Sequence, residues 1–344
     1  METLCCTEPK RTLPSLAMNP ERAQAGFTLT ELLVGMSLLA VVMMVAFSLF
    51  DSSNDLVESD TGRIMATQNA QTALDIMSND MRQAGENLAS LRLPVSGIEF
   101  DNAAQSLTVR RGIPPLTAAQ VGAATDMISQ RPAPLVVCKV TANRIEVVGP
   151  LPDNTTPSQC LYQAHPSGDD NRVRPWRVFF ASQSNAPQAA LLYRPASGTT
   201  PAAFAPVVVT TIGTISSNAD ATKRELWLDL RDSVPAGFSS SNGSQLILID
   251  QRRYWVQDSE LKLAVAGQTN AQAQTVAFDV DSLVLSATLT NPTATVTSLA
   301  INGPWNRLQT VVATLKARSG QGRNAARTFQ ATVYPRNVAS EAAP

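Results

Sequence analysis

From Phe27 to Phe50 the chain reads FTLTELLVGMSLLAVVMMVAFSLF, 24 residues with one charged side chain, Glu31. At about 1.5 Å of rise per residue, a helix of that length crosses a hydrocarbon core ~30 Å thick. The apolar part of a secretory signal is shorter, usually about 7–15 residues, and precedes a small-residue cleavage site. Here the run is followed by DSSNDLVESD, which has no such site. The composition therefore predicts a single-pass anchor with its basic flank, Lys10, Arg11 and Arg22, in the cytoplasm. A carboxylate inside that anchor costs a few kcal/mol of insertion energy and calls for a functional partner. No Lys, Arg or His lies between Phe27 and Phe50, so the partner of Glu31 must come from elsewhere. A free α-amino group would serve if the polypeptide were cut just before Phe27. Glu31 would then be the fifth residue of the new polypeptide.

GFTLTELLVGMSLLAVV resembles the class III signal of type IV pilins and type II secretion pseudopilins. The resemblance implies a prepilin peptidase that cuts after Gly26 and methylates the new terminal Phe27. It also implies that Glu31 docks onto a neighbouring subunit and sets the stagger between subunits as they leave the membrane. Counted from Met1 the leader is 26 residues, long for this class. From Met18 it reads MNPERAQAG, a short charged leader of the usual kind, which points to Met18 as the true start.

Beyond the anchor, no proline occurs between Pro20 and Pro94, whereas 19 of the 22 prolines lie from Pro94 onward. Within the proline-free stretch Ala66, Ala70, Ala73, Met77, Met81 and Ala84 recur at steps of three and four, one face of a helix. The opposite face carries Asp55, Glu58, Arg63, Gln68, Asp75 and Asn79. One helix is expected from Phe27 to Ala84, roughly 85 Å at helical rise, stopped by Gly85 and open to bending at Gly35 and Gly62. Its small-residue stripe suits packing on the protein's own head, on neighbours in a filament, or both. The rest reads as one antiparallel β domain, with runs such as PLVVCKV, RIEVVG, WRVFFAS, ELWLDL, QLILID and LQTVVATLKAR between Pro, Gly, Asn and Ser clusters. QLILIDQRRYWVQDSELKLAV reads as a meander with turns near Gln251 and at Asp258–Ser259. SGTTPAAFAP and ATLTNPTATVTS read as loops or edge strands.

The expected fold is thus α+β and pilin-like: a long N-terminal helix, membrane-spanning in its first half, and a β-rich globular head. Its parts are a leader at 1–26, the helix at 27–86 with its span at about 27–50, and the head at 87–344. The helix end, ALDIMSNDMRQAGENL, resembles a motif of the PilW family of minor pilins in Asp80, Arg82, Ala84 and Gly85, although Glu86 stands where an aromatic is usual. RTFQATVYPRN, Arg327 to Asn337, resembles the same family's closing strand, with Pro335 as a departure.

Other candidates are weaker. Formal net charge is -1, from 27 basic and 28 acidic residues, so no bulk attraction to nucleic acid follows. Arg172, Arg174 and Arg177 interleave with Trp176, a pattern that binds single strands or forms a strand with a solvated basic face. Asp279 and Asp281 would share a strand face, and Asp169, Asp170 and Asn171 share a loop, but neither stretch matches a calcium loop. A Ser-His-Asp triad would have to run through the single histidine, His165, and no nucleophile-elbow pattern supports one. Cys5 and Cys6 precede Met18. Cys138 and Cys160 either pair, closing a loop worth roughly 3 kcal/mol in an oxidising compartment, or stay separate buried thiols.

The resemblance implies a type IV minor pilin, processed by prepilin peptidase and incorporated into or priming the pilus, near the fibre tip. A minor pseudopilin of a type II secretion system is the alternative. The implied partners are the peptidase, the major pilin, other minor pilins and the inner-membrane assembly platform. No enzyme activity, cofactor, metal or small-molecule substrate is expected. The head is expected in the periplasm before assembly and on the cell surface afterwards.

Overall fold

The computed structural model describes residues 28–88, 95–149, 158–216, 224–318 and 326–337. Its first element is one helix, α1 (Leu29–Gln83), which passes Gly35 and Gly62 without a break. Gly85 follows with φ +76°, the left-handed conformation that stops a helix. The protein divides into two compact units, Met1–Glu58 and Ser59–Pro344.

In the first unit every described residue is exposed. Leu32, Leu33, Val41, Met44, Phe47 and Phe50 each leave half or more of their surface open. This part of α1 is long and apolar enough to cross a membrane.

The second unit holds the rest of α1 and the β-rich head. The strands, in order, are β1 (Ile98–Asp101), β2 (Ser106–Gly112), β3 (Leu135–Val136), β4 (Lys139–Thr141) and β5 (Arg144–Val148). Next come β6 (Gln188–Arg194), β7 (Ala203–Ile212), β8 (Leu226–Leu230), β9 (Gln245–Gln257), β10 (Glu260–Val265) and β11 (Gln274–Phe278). The last are β12 (Val280–Leu289), β13 (Ala294–Val296), β14 (Ser298–Leu299), β15 (Leu308–Ala317) and β16 (Arg327–Val333). Two short helices, α2 (Ala118–Val121) and α3 (Arg174–Ser182), lie between strands. A 12-stranded sheet runs β14-β1-β2-β9-β6-β7-β8-β5-β4, with β3 and β10 also on β9 and β11 beyond β10. A 4-stranded sheet runs β13-β12-β15-β16.

One apolar core joins α1 to both sheets. Ala70, Ala73, Leu74, Met77, Met81 and Ala84 meet Ile98, Phe100, Leu107 and Val109 of the larger sheet. The smaller sheet adds Leu283, Leu285 and Ala287 of β12 and Val311, Ala313 and Leu315 of β15, alternate residues that share one face. A second core lies around α3, where Trp176, Phe179 and Phe180 pack on strands β5 to β9. β9 reaches both, with Leu246 and Leu248 in the second core and Tyr254 in the first.

Four expectations fail here. WRVFFAS is not a strand but most of α3, because Val173, Trp176, Phe179 and Phe180 fall at helical spacing and Pro175 suits a first turn. β9 does not turn at Gln251 but runs unbroken to Gln257, its polar middle paired with Arg110 and Arg111 of β2. Ala203–Pro206 is no loop or edge, since it pairs with β6 inside a sheet where β7 also meets β8. Asp279 does not share a strand face with Asp281, because its φ of +58° places it in the turn between β11 and β12. The turn at Asp258–Ser259 is present, both residues having positive φ, and β13 is an edge strand.

Candidate functional site

Of the N-terminal residues expected to act, Gly26 and Phe27 lie outside the described residues. Glu31 lies within them, in the first turn of α1. Thr28 donates to Glu31 Oε2 from its backbone N–H at 3.1 Å and from its hydroxyl at 3.0 Å. The Glu31 N–H reaches back to Thr28 Oγ1 at 3.4 Å, and the Leu32 N–H bonds Thr28 O at 3.1 Å. This is a reciprocal capping arrangement, in which the carboxylate satisfies donors that a helix start otherwise leaves open. The carboxylate is thus capped by neutral donors of its own polypeptide, and no cationic side chain lies between Phe27 and Phe50. The T-x-x-E spacing of Thr28 and Glu31 was the readable signal.

The other end of α1 carries a second acid on its apolar face. Asp80 lies between Met77 and Ala84 on the buried stripe and is 2% exposed. It accepts from Arg252 Nη1 at 2.9 and 3.1 Å and from the Tyr254 hydroxyl, both on β9. Burial first, and the Asp80 carboxylate second, push the Tyr254 phenol far up, so it remains a donor. For Arg252, burial alone would lower the pKa, but Asp80 and then Asp250 outweigh it and raise it. Beside this pair, Arg111 of β2 bonds Gln83 of α1 and Asp250 of β9. Arg110 bonds Glu99 and Gln251, and burial pulls its pKa down against the pull of Glu99. The polar run that looked like a turn in β9 is thus the surface that receives the helix.

The helix end is also fixed. A Cβ on Gly85 would come within 2.7 Å of the Trp305 ring. The Gly85 N–H donates to Arg110 O at 2.9 Å, and Asn337 Nδ2 donates to Ala84 O at 3.1 Å. The helix-end motif and the C-terminal motif singled out in the sequence therefore meet.

Cys138 and Cys160 are joined, with Cα atoms 5.8 Å apart. Next to them Glu146 of β5 is 2% exposed, and its Oε1 occupies the place where a side chain on Gly149 would start. Burial, reinforced by the charge of Glu225 and opposed by Lys139, raises the Glu146 carboxyl to about 7.

The two weaker clusters of the sequence neutralise one another. Arg172 pairs with Asp170, Arg177 with Asp169 and Arg174 with Asp126. Trp176 is buried and donates to Ala133 O at 2.8 Å. Asp170 also accepts the backbone N–H groups of Gln163 and Arg172. Asp281 pairs with Arg318 and Lys316. Among the described residues, no group of three or more His, Cys, Asp or Glu side chains could hold a metal ion. Ser167, His165 and Asp126 do line up: Ser167 Oγ lies 2.9 Å from His165 Nδ1, and Nε2 lies 3.2 Å from Asp126 Oδ2. Arg174 nevertheless occupies both Asp126 oxygens and holds that carboxyl below the usual range. The neighbouring backbone donors are also spent, the Gly168 N–H on His165 O at 2.9 Å and the Ser167 N–H on His165 Nδ1 at 3.1 Å.

The profile of the prokaryotic N-terminal methylation motif matches residues 22–47. The matched stretch includes Gly26, Phe27 and Glu31, and it marks a prepilin-type signal of the sort that type IV pilins and pseudopilins present to prepilin peptidase. Together with the apolar helix it fits anchoring in the inner membrane. No curated protein and no solved structure matches the sequence.

Two outcomes follow from these contacts. Asp80→Ala leaves the buried Tyr254 hydroxyl and the partly buried Arg252 guanidinium without their shared acceptor and lowers head stability by roughly 2–4 kcal/mol, against under ~0.5 for the exposed Asp75→Ala. Urea titration of the full-length protein in detergent, read by tryptophan fluorescence, measures both. For Glu146 the folded pKa lies above the unfolded value, so its contribution is complete below about 4.5 and is lost as pH rises through about 7. Glu146→Gln therefore melts about 2–4 °C above the parent at pH 8 and level with it at pH 4.5, as thermal circular dichroism at the two pH values will show.

Proposed function

We propose that this protein is a minor pilin of a type IV pilus, most like the PilW family, which enters the fibre or primes its assembly after processing by prepilin peptidase. The reading rests above all on one observation: the exposed apolar first part of α1, otherwise uncharged as far as Phe50, keeps a carboxylate at its first turn, within a matched methylation motif.

Cleavage after Gly26 leaves Phe27 as a free terminal residue directly before Thr28, and the peptidase methylates it. Glu31, held by Thr28 in the single subunit, then exchanges that contact for the Phe27 amine of a neighbour. The exchange replaces hydrogen bonds from neutral donors by an ion pair with a cationic amine, charged on both sides, which favours the docked state. It also sets the axial offset between subunits. The head stays in the periplasm until assembly and reaches the cell surface with the fibre. Its bulk, some 260 residues by sequence, suits a tip or initiation position better than a repeating shaft. Docking partners are the major pilin, the other minor pilins and the inner-membrane assembly platform. No reaction is assigned to the protein, and the chemistry at Gly26 and Phe27 is performed on it.

The test is the amount of major pilin sheared from cells lacking this gene, beside a complemented strain and a Glu31→Ala strain. Loss of surface pilin in the deletion, its return on complementation and its loss again with Glu31→Ala are the expected results. Unchanged surface pilin in the deletion would remove the priming role and turn attention to a secretion pseudopilus.

A further inference from the structure

Nearly every arginine of the head is spent within the head. Arg110, Arg111, Arg144, Arg172, Arg174, Arg177, Arg252 and Arg318 pair with carboxylates. Arg194, Arg231 and Arg307 bond backbone carbonyls, and Arg253 bonds Asn270. Among the described residues, Arg82, Arg327 and Arg336 stand apart, since no hydrogen bond or ion pair ties them.

Two of these three converge. Arg82 comes from the last turn of α1 and Arg336 from the stretch after β16, yet both line one cleft of about 410 Å³ with Asn79, Gln83, Glu86 and Asn337. The bond from Asn337 to Ala84 O brings the two segments together there. Arg82 alone has a bland explanation, because a cation in the last turn complements the helix dipole. That explanation does not extend to Arg336, which belongs to no helix.

We propose that this cleft docks the side-chain carboxylate of an Asp or Glu of a neighbouring subunit, an inference that rests on the pilin reading above. Two guanidinium groups offer a planar carboxylate paired N–H donors, and the flanking amides of Asn79 and Asn337 add neutral polar groups. Glu86 on the lining leaves the cleft a single positive charge in excess. That balance fits one carboxylate and disfavours a phosphate or a nucleic-acid backbone, whose further charge would face both Glu86 and the negative end of α1. Tyr334, exposed two residues before Arg336, supplies an apolar surface nearby for the remainder of the partner segment.

The experiment uses the full-length protein in its own membranes. Arg82→Lys with Arg336→Lys keeps the charges and places primary amines in the cleft. A zero-length carbodiimide joins an amine only to a carboxylate in direct contact, and peptide mass spectrometry reads both ends of each adduct. The expected result is an intersubunit adduct from position 82 or 336 to an acidic residue of another prepilin-type subunit, several-fold above an Arg327→Lys control. No excess over that control, or adducts confined to carboxylates of the same polypeptide, would overturn the proposal. Sheared pilin from the deletion strain separates the two layers. If the deletion leaves pilin unchanged, the priming role falls and the intersubunit adduct alone decides this inference. If the deletion abolishes pilin and no intersubunit adduct forms, the inference alone falls.

Discussion

The contact between Asp80 and the Arg252–Tyr254 pair is the constraint on which the arrangement of the head depends. A helix face made of Ala70, Ala73, Met77, Met81 and Ala84 is smooth and repetitive, and by packing alone it could slide by a turn or rotate at small cost. One buried acid with two fixed donors removes that freedom. Only one axial position of α1 places Asp80 between Arg252 and Tyr254, and the same position sets Gln83 against Arg111. The gain lies less in net energy than in the cost of every alternative register, each of which leaves a buried carboxylate or guanidinium unpaired.

The helix end follows from that placement. With α1 fixed, its last turn arrives at Trp305 and at the Arg110 carbonyl, where only a residue without a Cβ fits in a left-handed conformation. Gly85 meets both demands. Asn337, near the other end of the sequence, completes the arrangement by taking up the Ala84 carbonyl. The two ends of the head thus come together around the helix stop, and the same meeting builds the cleft of Arg82 and Arg336.

How much of this was legible depended on whether a residue's role was local. The apolar run, the small-residue stripe and the glycine stop are periodic or positional signals, and α1 could be read from them. The β-rich character of the head was readable from short apolar runs between turn residues. α3 was missed because Trp176, Val178, Phe179 and Phe180 favour strands by composition, while their spacing favours a helix. The unbroken course of β9 was missed because Asp250, Gln251, Arg252 and Arg253 look like a solvated turn until their partners on β2 and α1 are known. Asp80 was seen as part of a motif, but its burial depended on residues 172 and 174 positions away. At the N-terminus the opposite held. Thr28, which caps Glu31, stands only three residues before it, and their T-x-x-E spacing is a local signal.

The most direct test of the account is the intact mass and N-terminal sequence of the protein purified from the inner membrane. The account predicts a polypeptide that begins at Phe27 and carries one added methyl group on its terminal nitrogen. A polypeptide that keeps residues before Phe27, or begins at Phe27 without the methyl group, would contradict it.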